Sequence, residues 1–189
     1  MTTLKAAALV IGVGSALFLL AAFSPVSRVF GLPSAEARWQ LISASRSAWN
    51  SSQALFAAGA IVTAIGTLLA GVALRGRPAS AAMTGAGILL LIGAIAWSWS
   101  VYLRAQDPRA FVAGTLPGWP FTFYTLLTMA ALALAGYSLL RMGFPAWSAW
   151  LLIGAPFLLL ALYLFFGDMP PFVYYLLALV LAIVLYRGS

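Results

Sequence analysis

The chain has no cysteine and no histidine, only three acidic side chains, and a single lysine, Lys5. Each scarcity excludes a chemistry. Without Cys there is no disulfide and no thiol nucleophile, and without Cys or His no zinc, copper, haem or iron–sulfur centre of ordinary type has its ligands. A Ser-His-Asp triad lacks its base. The three acids, Glu36, Asp107 and Asp168, are too few and too scattered for a paired-carboxylate mechanism, and a Ser–Lys dyad would have to use Lys5. The reading is a protein that is not an enzyme and uses no metal and no cofactor.

What fills the chain instead is apolar: 64% of the 189 residues are hydrophobic and 7% charged. A soluble domain carries about 25% charged residues, so a water-facing surface cannot be built from this composition. Crossing a hydrocarbon core of about 30 Å takes about 20 apolar residues in a helix. Six apolar runs meet or approach that length, at about 4–23, 53–74, 81–103, 121–140, 148–166 and 172–186. The predicted fold is an all-α, polytopic transmembrane helical bundle of about six spans, forming a single transmembrane domain over 1–189. The first run is too long for a signal-peptide core and lacks a small-residue cleavage site, so it is expected to stay as a helix. The last is barely long enough to span.

The connections carry their own signals. Between spans 1 and 2, Ser34 follows Pro33 as a helix cap with Glu36 in the first turn, which predicts an interfacial helix at about 34–49. Asp107-Pro108 reads as the start of a turn or short helix, and Asp168 before Pro170-Pro171 as the cap of the last helix. Pro156 falls inside span 5, where a kink or an unsatisfied carbonyl is expected.

The net charge of +7 comes from ten basic residues placed singly near the span ends. Lipid phosphates account for that pattern, and no nucleic acid is needed as a partner. Six spans put Lys5, Arg75, Arg77, Arg141 and Arg187 on one side and Arg28, Arg38, Arg46, Arg104 and Arg109 on the other. The first set sits in short turns against the span ends, where the positive-inside rule is counted. The expected location is therefore the cell inner (plasma) membrane, with both termini cytoplasmic.

The spans hold no ionisable group between their ends, which weighs against ion-coupled transport. They do hold small residues four apart, such as Ala8 and Gly12, Ala60 and Ala64, Gly66 and Ala70, Ala131 and Ala135, and Ala178 and Ala182, which let helices approach closely. Thr63 with Thr67, and Thr122, Thr125 and Thr128, form hydroxyl stripes that suit helix packing or a polar wall.

Most tryptophans read as belt anchors at a membrane surface. Yet Trp39, Trp49, Trp97, Trp99 and Trp119 share one side with Arg38, Arg46, Arg104, Asp107, Arg109 and Asp168. These eleven residues are the candidate ligand-binding set. Arginine would reach an anionic head and indole rings would cover the apolar part of a lipid, quinone or other flat molecule.

Gly143-Phe144-Pro145-Ala146-Trp147 and Phe166-Gly167-Asp168-Met169-Pro170-Pro171-Phe172 resemble segments of uncharacterised small bacterial six-span integral membrane proteins, a resemblance that implies the fold and no function. Pro117, Trp119, Pro120 and Tyr124 are similar to the Trp- and Pro-rich segment of the tryptophan-rich sensory proteins, but the rest of that pattern is missing and its ligand sites are not carried over. The functional expectation is a non-catalytic multi-pass protein. It would bind a hydrophobic or amphipathic small molecule or serve as an accessory subunit of a membrane complex, alone or as a homo-oligomer in the lipid bilayer. The alternative is a small transporter or the substrate-capture subunit of an uptake system.

Overall fold

The computed structural model describes residues 3–166 and 170–188; Asp168 and its expected capping role lie outside them. In chain order the elements are α1 (Thr3–Ala22), a 3₁₀ segment (Pro25–Gly31), α2 (Ala35–Ala44), α3 (Arg46–Ala73), α4 (Ser80–Gln106), α5 (Pro108–Val112), α6 (Trp119–Arg141), α7 (Ala146–Phe166) and α8 (Phe172–Arg187). No strand occurs among the described residues. Helices α1, α3, α4, α6 and α7 are long and apolar enough to cross a membrane. At 16 residues α8 reaches about 24 Å, less than a hydrocarbon core of about 30 Å. The expected all-α transmembrane bundle is what forms.

One boundary departs from expectation. The interfacial helix read over 34–49 is divided at Ser45 (φ −134°, ψ 44°), so that α2 ends at Ala44 and α3 begins at Arg46, well before the apolar run at Gln53. The first turns of α3 are polar, and they are helical because they dock. Arg46 Nη2 donates to the carbonyl of Ala105, and Trp49 Nε1 donates to the carbonyl of Arg104 at 3.1 Å, so α3 caps the C-terminal end of α4. The local signals in the connections do form. Ser34 Oγ accepts from the Ala37 amide at 3.2 Å and starts α2, while Asp107 Oδ1 accepts from the Ala110 amide at 2.9 Å and starts α5. Helix α7 continues through Pro156.

The packing follows the chain: α1 lies against α3 and α8, α3 against α4, α4 against α6, and α6 against α7. Lipid tails are as apolar as leucine, so close approach and van der Waals contact hold such helices together. Gly59 shows how close. A methyl group on it would fall 2.6 Å from the Phe18 nitrogen and 2.8 Å from the Gly14 oxygen, both backbone atoms of α1. Ala60, Ala64, Gly66, Ala70, Ala131, Ala135, Ala178 and Ala182 are all buried. The hydroxyl stripes are also mostly inside, with Thr63, Thr67, Thr125 and Thr128 buried and Thr67 Oγ1 donating to the Thr63 carbonyl at 2.9 Å.

The two ends of the bundle differ. At one, Lys5 lies 5.5 Å from the Tyr186 ring and Ser138 Oγ donates to the Ala79 carbonyl at 2.9 Å, so that the α3–α4 turn, the end of α6, the start of α1 and the end of α8 gather there. The opposite end carries the 3₁₀ segment, α2, α5 and a second small core of Val26, Val29, Ile42 and Trp49.

Candidate functional site

Between this second core and the main one lies a cleft of about 660 Å³. It draws on every long helix except α7, and on the connections above them. Phe18 comes from the last turns of α1, Phe56 from α3, Trp97, Ser100 and Arg104 from α4, Phe121 from the start of α6, and Pro170 to Phe172 from the start of α8. Phe30, Arg38, Phe111 and the glycines at 31, 114 and 118 form its upper wall.

The floor is an aromatic stack. Phe18 lies face to face with Tyr175 at 3.6 Å and edge-on to Phe56 at 4.7 Å. Trp97, 1% exposed, stacks on Tyr124 at 4.8 Å and lies 5.9 Å from Phe56. Tyr124 donates its hydroxyl to Tyr175 at 3.2 Å, joining α6 to α8 beneath the cleft. Rings held on several sides this way keep fixed positions, as a preformed site requires.

Two guanidinium groups face this apolar floor. Arg104 lies 5.0 Å from the Trp97 ring, 5.4 Å from Phe111 and 5.9 Å from Phe30, within cation–π range of all three. Arg38 is held by its Nε, which donates to the Leu32 carbonyl at 2.8 Å. No carboxylate lines the cleft among the described residues.

The structure thus separates the eleven candidates. Trp97, Arg38 and Arg104 meet at the cleft. Trp49 is fully buried in the second core, and it and Arg46 are engaged with the end of α4. Arg109 stacks over Trp39 at 4.7 Å beside a shallow surface depression that also includes Glu36. Asp107 caps α5. Trp99, stacked on Tyr102, and Trp119 are 50% and 62% exposed and stand on the outside of the bundle. Asp168 lies outside the described residues.

Sequence reasoning missed the phenylalanine walls and Ser100. A phenylalanine in an apolar run carries no mark of whether it faces lipid or a cavity. The one usable signal was on α4, where Trp97, Ser100 and Arg104 follow at i, i+3 and i+7 and so share a face. No family model matches the chain, and no curated protein or solved structure matches it.

Proposed function

We propose that this is a non-catalytic multi-pass membrane protein that binds a hydrophobic or amphipathic small molecule in the cleft. The observation that carries this reading is the cleft itself, about 660 Å³ of space floored by interlocked rings and bordered by Arg38 and Arg104. That volume lies within the range of about 300–1,000 Å³ typical of small-molecule sites, with the mainly apolar lining and few placed polar groups such sites use. In this reading the rings cover the apolar body and the arginines hold the polar end.

Anything that binds the folded state and not the unfolded one stabilises it, by about 2.7 kcal/mol when present at about 100 times Kd. For a chain of this length that corresponds to an increase in Tm of about 5–11 °C. Lipid fractions from the host membrane should therefore contain one that raises the melting temperature of the detergent-solubilised protein. Ser100→Trp, which fills the cleft, should abolish the shift. Stabilisation of equal size in the filled variant would move binding away from the cleft.

The membrane is read as the cell's inner (plasma) membrane, with both termini cytoplasmic and the cleft on the outer side. Support comes from the basic residues in the short turns at the other end. The absence of cysteine makes a direct test available. A membrane-impermeant maleimide should label Thr115→Cys in intact cells and label Arg77→Cys only after lysis; the reverse pattern would invert the orientation.

A further inference from the structure

We propose that the cleft selects a single-tailed anionic amphiphile, with a carboxylate or phosphate head on Arg38 and Ser100 and its tail along Phe30, Phe121 and Phe172, above the buried Trp97. This rests on the ligand-binding reading and adds the charge and shape of the ligand.

Among the described residues, the charged side chains at the cleft, Arg38 and Arg104, are both cationic. Arg38 is positioned by its Nε bond to Leu32, which leaves its two terminal nitrogens without a hydrogen bond or ion pair to any described residue. Such a fork matches the two oxygens of a carboxylate or phosphate. Ser100 is 6% exposed and lines the cleft. Serine in a helix commonly bonds back to the carbonyl four residues earlier, as Ser98 Oγ does to the Ala94 carbonyl at 2.7 Å. Ser100 makes no such bond to any described residue, so its hydroxyl is open to a partner at the cleft wall. Nearby, Trp97 Nε1 is buried without an acceptor among the described residues.

Buried polar groups are nearly always paired in native structures, so the unpartnered Trp97 Nε1 beside the cleft suits an acceptor-bearing ligand. Arg104, among its three rings, adds a second positive charge on the same wall. The N-terminal ends of α6 and α8 also point their positive dipole ends to this side. The C-terminal ends of α1 and α4 reach the same end with the opposite dipole sign, so among the described residues the two guanidinium groups, not the helix ends, favour an anion. The volume fits one tail or ring system and not a whole two-chain phospholipid.

The test uses the full chain in nanodiscs of zwitterionic phosphatidylcholine. The probes are a bromine-tipped medium-chain fatty acid, the matching alkyl phosphate and the methyl ester of the acid, and bromine quenches an indole within a few ångströms, which includes Trp97 just beneath the cleft. The signal is the saturable part of the quenching that disappears in Trp97→Phe, which separates the cleft from lipid-facing tryptophans.

The acid and the phosphate should bind about ten- to a hundredfold tighter than the ester, as expected for hydrogen bonds to a charged group. Arg38→Gln should remove that preference, and Arg38→Lys should keep part of it. Inorganic phosphate alone should not displace the probe, since the tail supplies most of the contact; displacement would make the site one for a free anion and overturn the proposal. Equal binding of acid and ester would overturn the charge selection and leave the ligand-binding reading standing. No saturable Trp97 component with any probe would overturn both. An unchanged melting temperature in the Arg38 variants shows that they fold.

Discussion

Replacing Phe18 with alanine is expected to lower the melting temperature of the purified protein by about 6–12 °C. Phe18 is fully buried, stacked on Tyr175 at 3.6 Å, edge-on to Phe56 at 4.7 Å and 5.8 Å from Trp97, so one ring ties α1 to α3, α4 and α8. Phe-to-Ala changes in cores cost about 3–5 kcal/mol through lost contacts and the cavity left behind. In a membrane the transfer part of that cost is small, because lipid is itself apolar, so the lower end of about 3 kcal/mol applies. At about 2–4 °C per kcal/mol this gives the stated shift. Phe18→Leu, which fills much of the space, should recover a good part of it. A shift under about 2 °C for the alanine variant would mean that the aromatic floor does not hold the helices together.

The second large effect is expected at the α1–α3 contact, where Gly59→Val should cost about 1–3 kcal/mol or more and leave less folded protein in the membrane fraction. The obstacles to the new side chain are the Phe18 nitrogen, the Gly14 oxygen and the Phe18 Cβ, all within 2.8 Å of where a Cβ would stand. Backbone atoms cannot escape by changing rotamer, so the two helices must part. Gly154→Ala in α7 is the matching control, because nothing lies within 4 Å of its added Cβ. It should be neutral or stabilising by up to about 1 kcal/mol from helix propensity. Because Gly59 and Phe18 touch, the double variant Phe18→Ala with Gly59→Val should lose less than the two single losses combined. Strict additivity would argue that the close approach is not there.

These two residues also mark what the sequence could and could not reveal. The spans were legible because a helix long enough to cross a bilayer needs a run of apolar residues, and such a run is visible whatever its neighbours. The start of α3 was not, because Arg46 to Ser52 is polar and takes helical form through contacts of Arg46 and Trp49 with α4, which no local pattern encodes. The caps at Ser34 and Asp107 were legible because they act within three residues.

The site was legible in depth and not in direction. Charge and aromatic content place Trp97 and Trp99 in the same membrane layer, but successive residues of a helix turn by about 100°, so residues two apart point to nearly opposite sides. Trp97 is therefore buried on the cleft floor while Trp99 stands outside. The same rule brings Ser100 and Arg104 to the side of Trp97. Phe30, Phe111 and Arg38 come from connections whose course depends on tertiary packing, and only the folded chain brings them to one wall.

The most direct test of the central claim, that the cleft holds a small molecule, is photo-crosslinking in the native membrane followed by mass spectrometry of the captured adducts. A photoreactive phenylalanine analogue is placed at Phe121 on the cleft wall, or at Phe157, which is 66% exposed on the outer face of α7. The account predicts one discrete small-molecule adduct from position 121, lost when Ser100→Trp fills the cleft, and a mixture of bulk phospholipids from position 157. The same bulk lipid mixture at both positions, unaffected by Ser100→Trp, would contradict it.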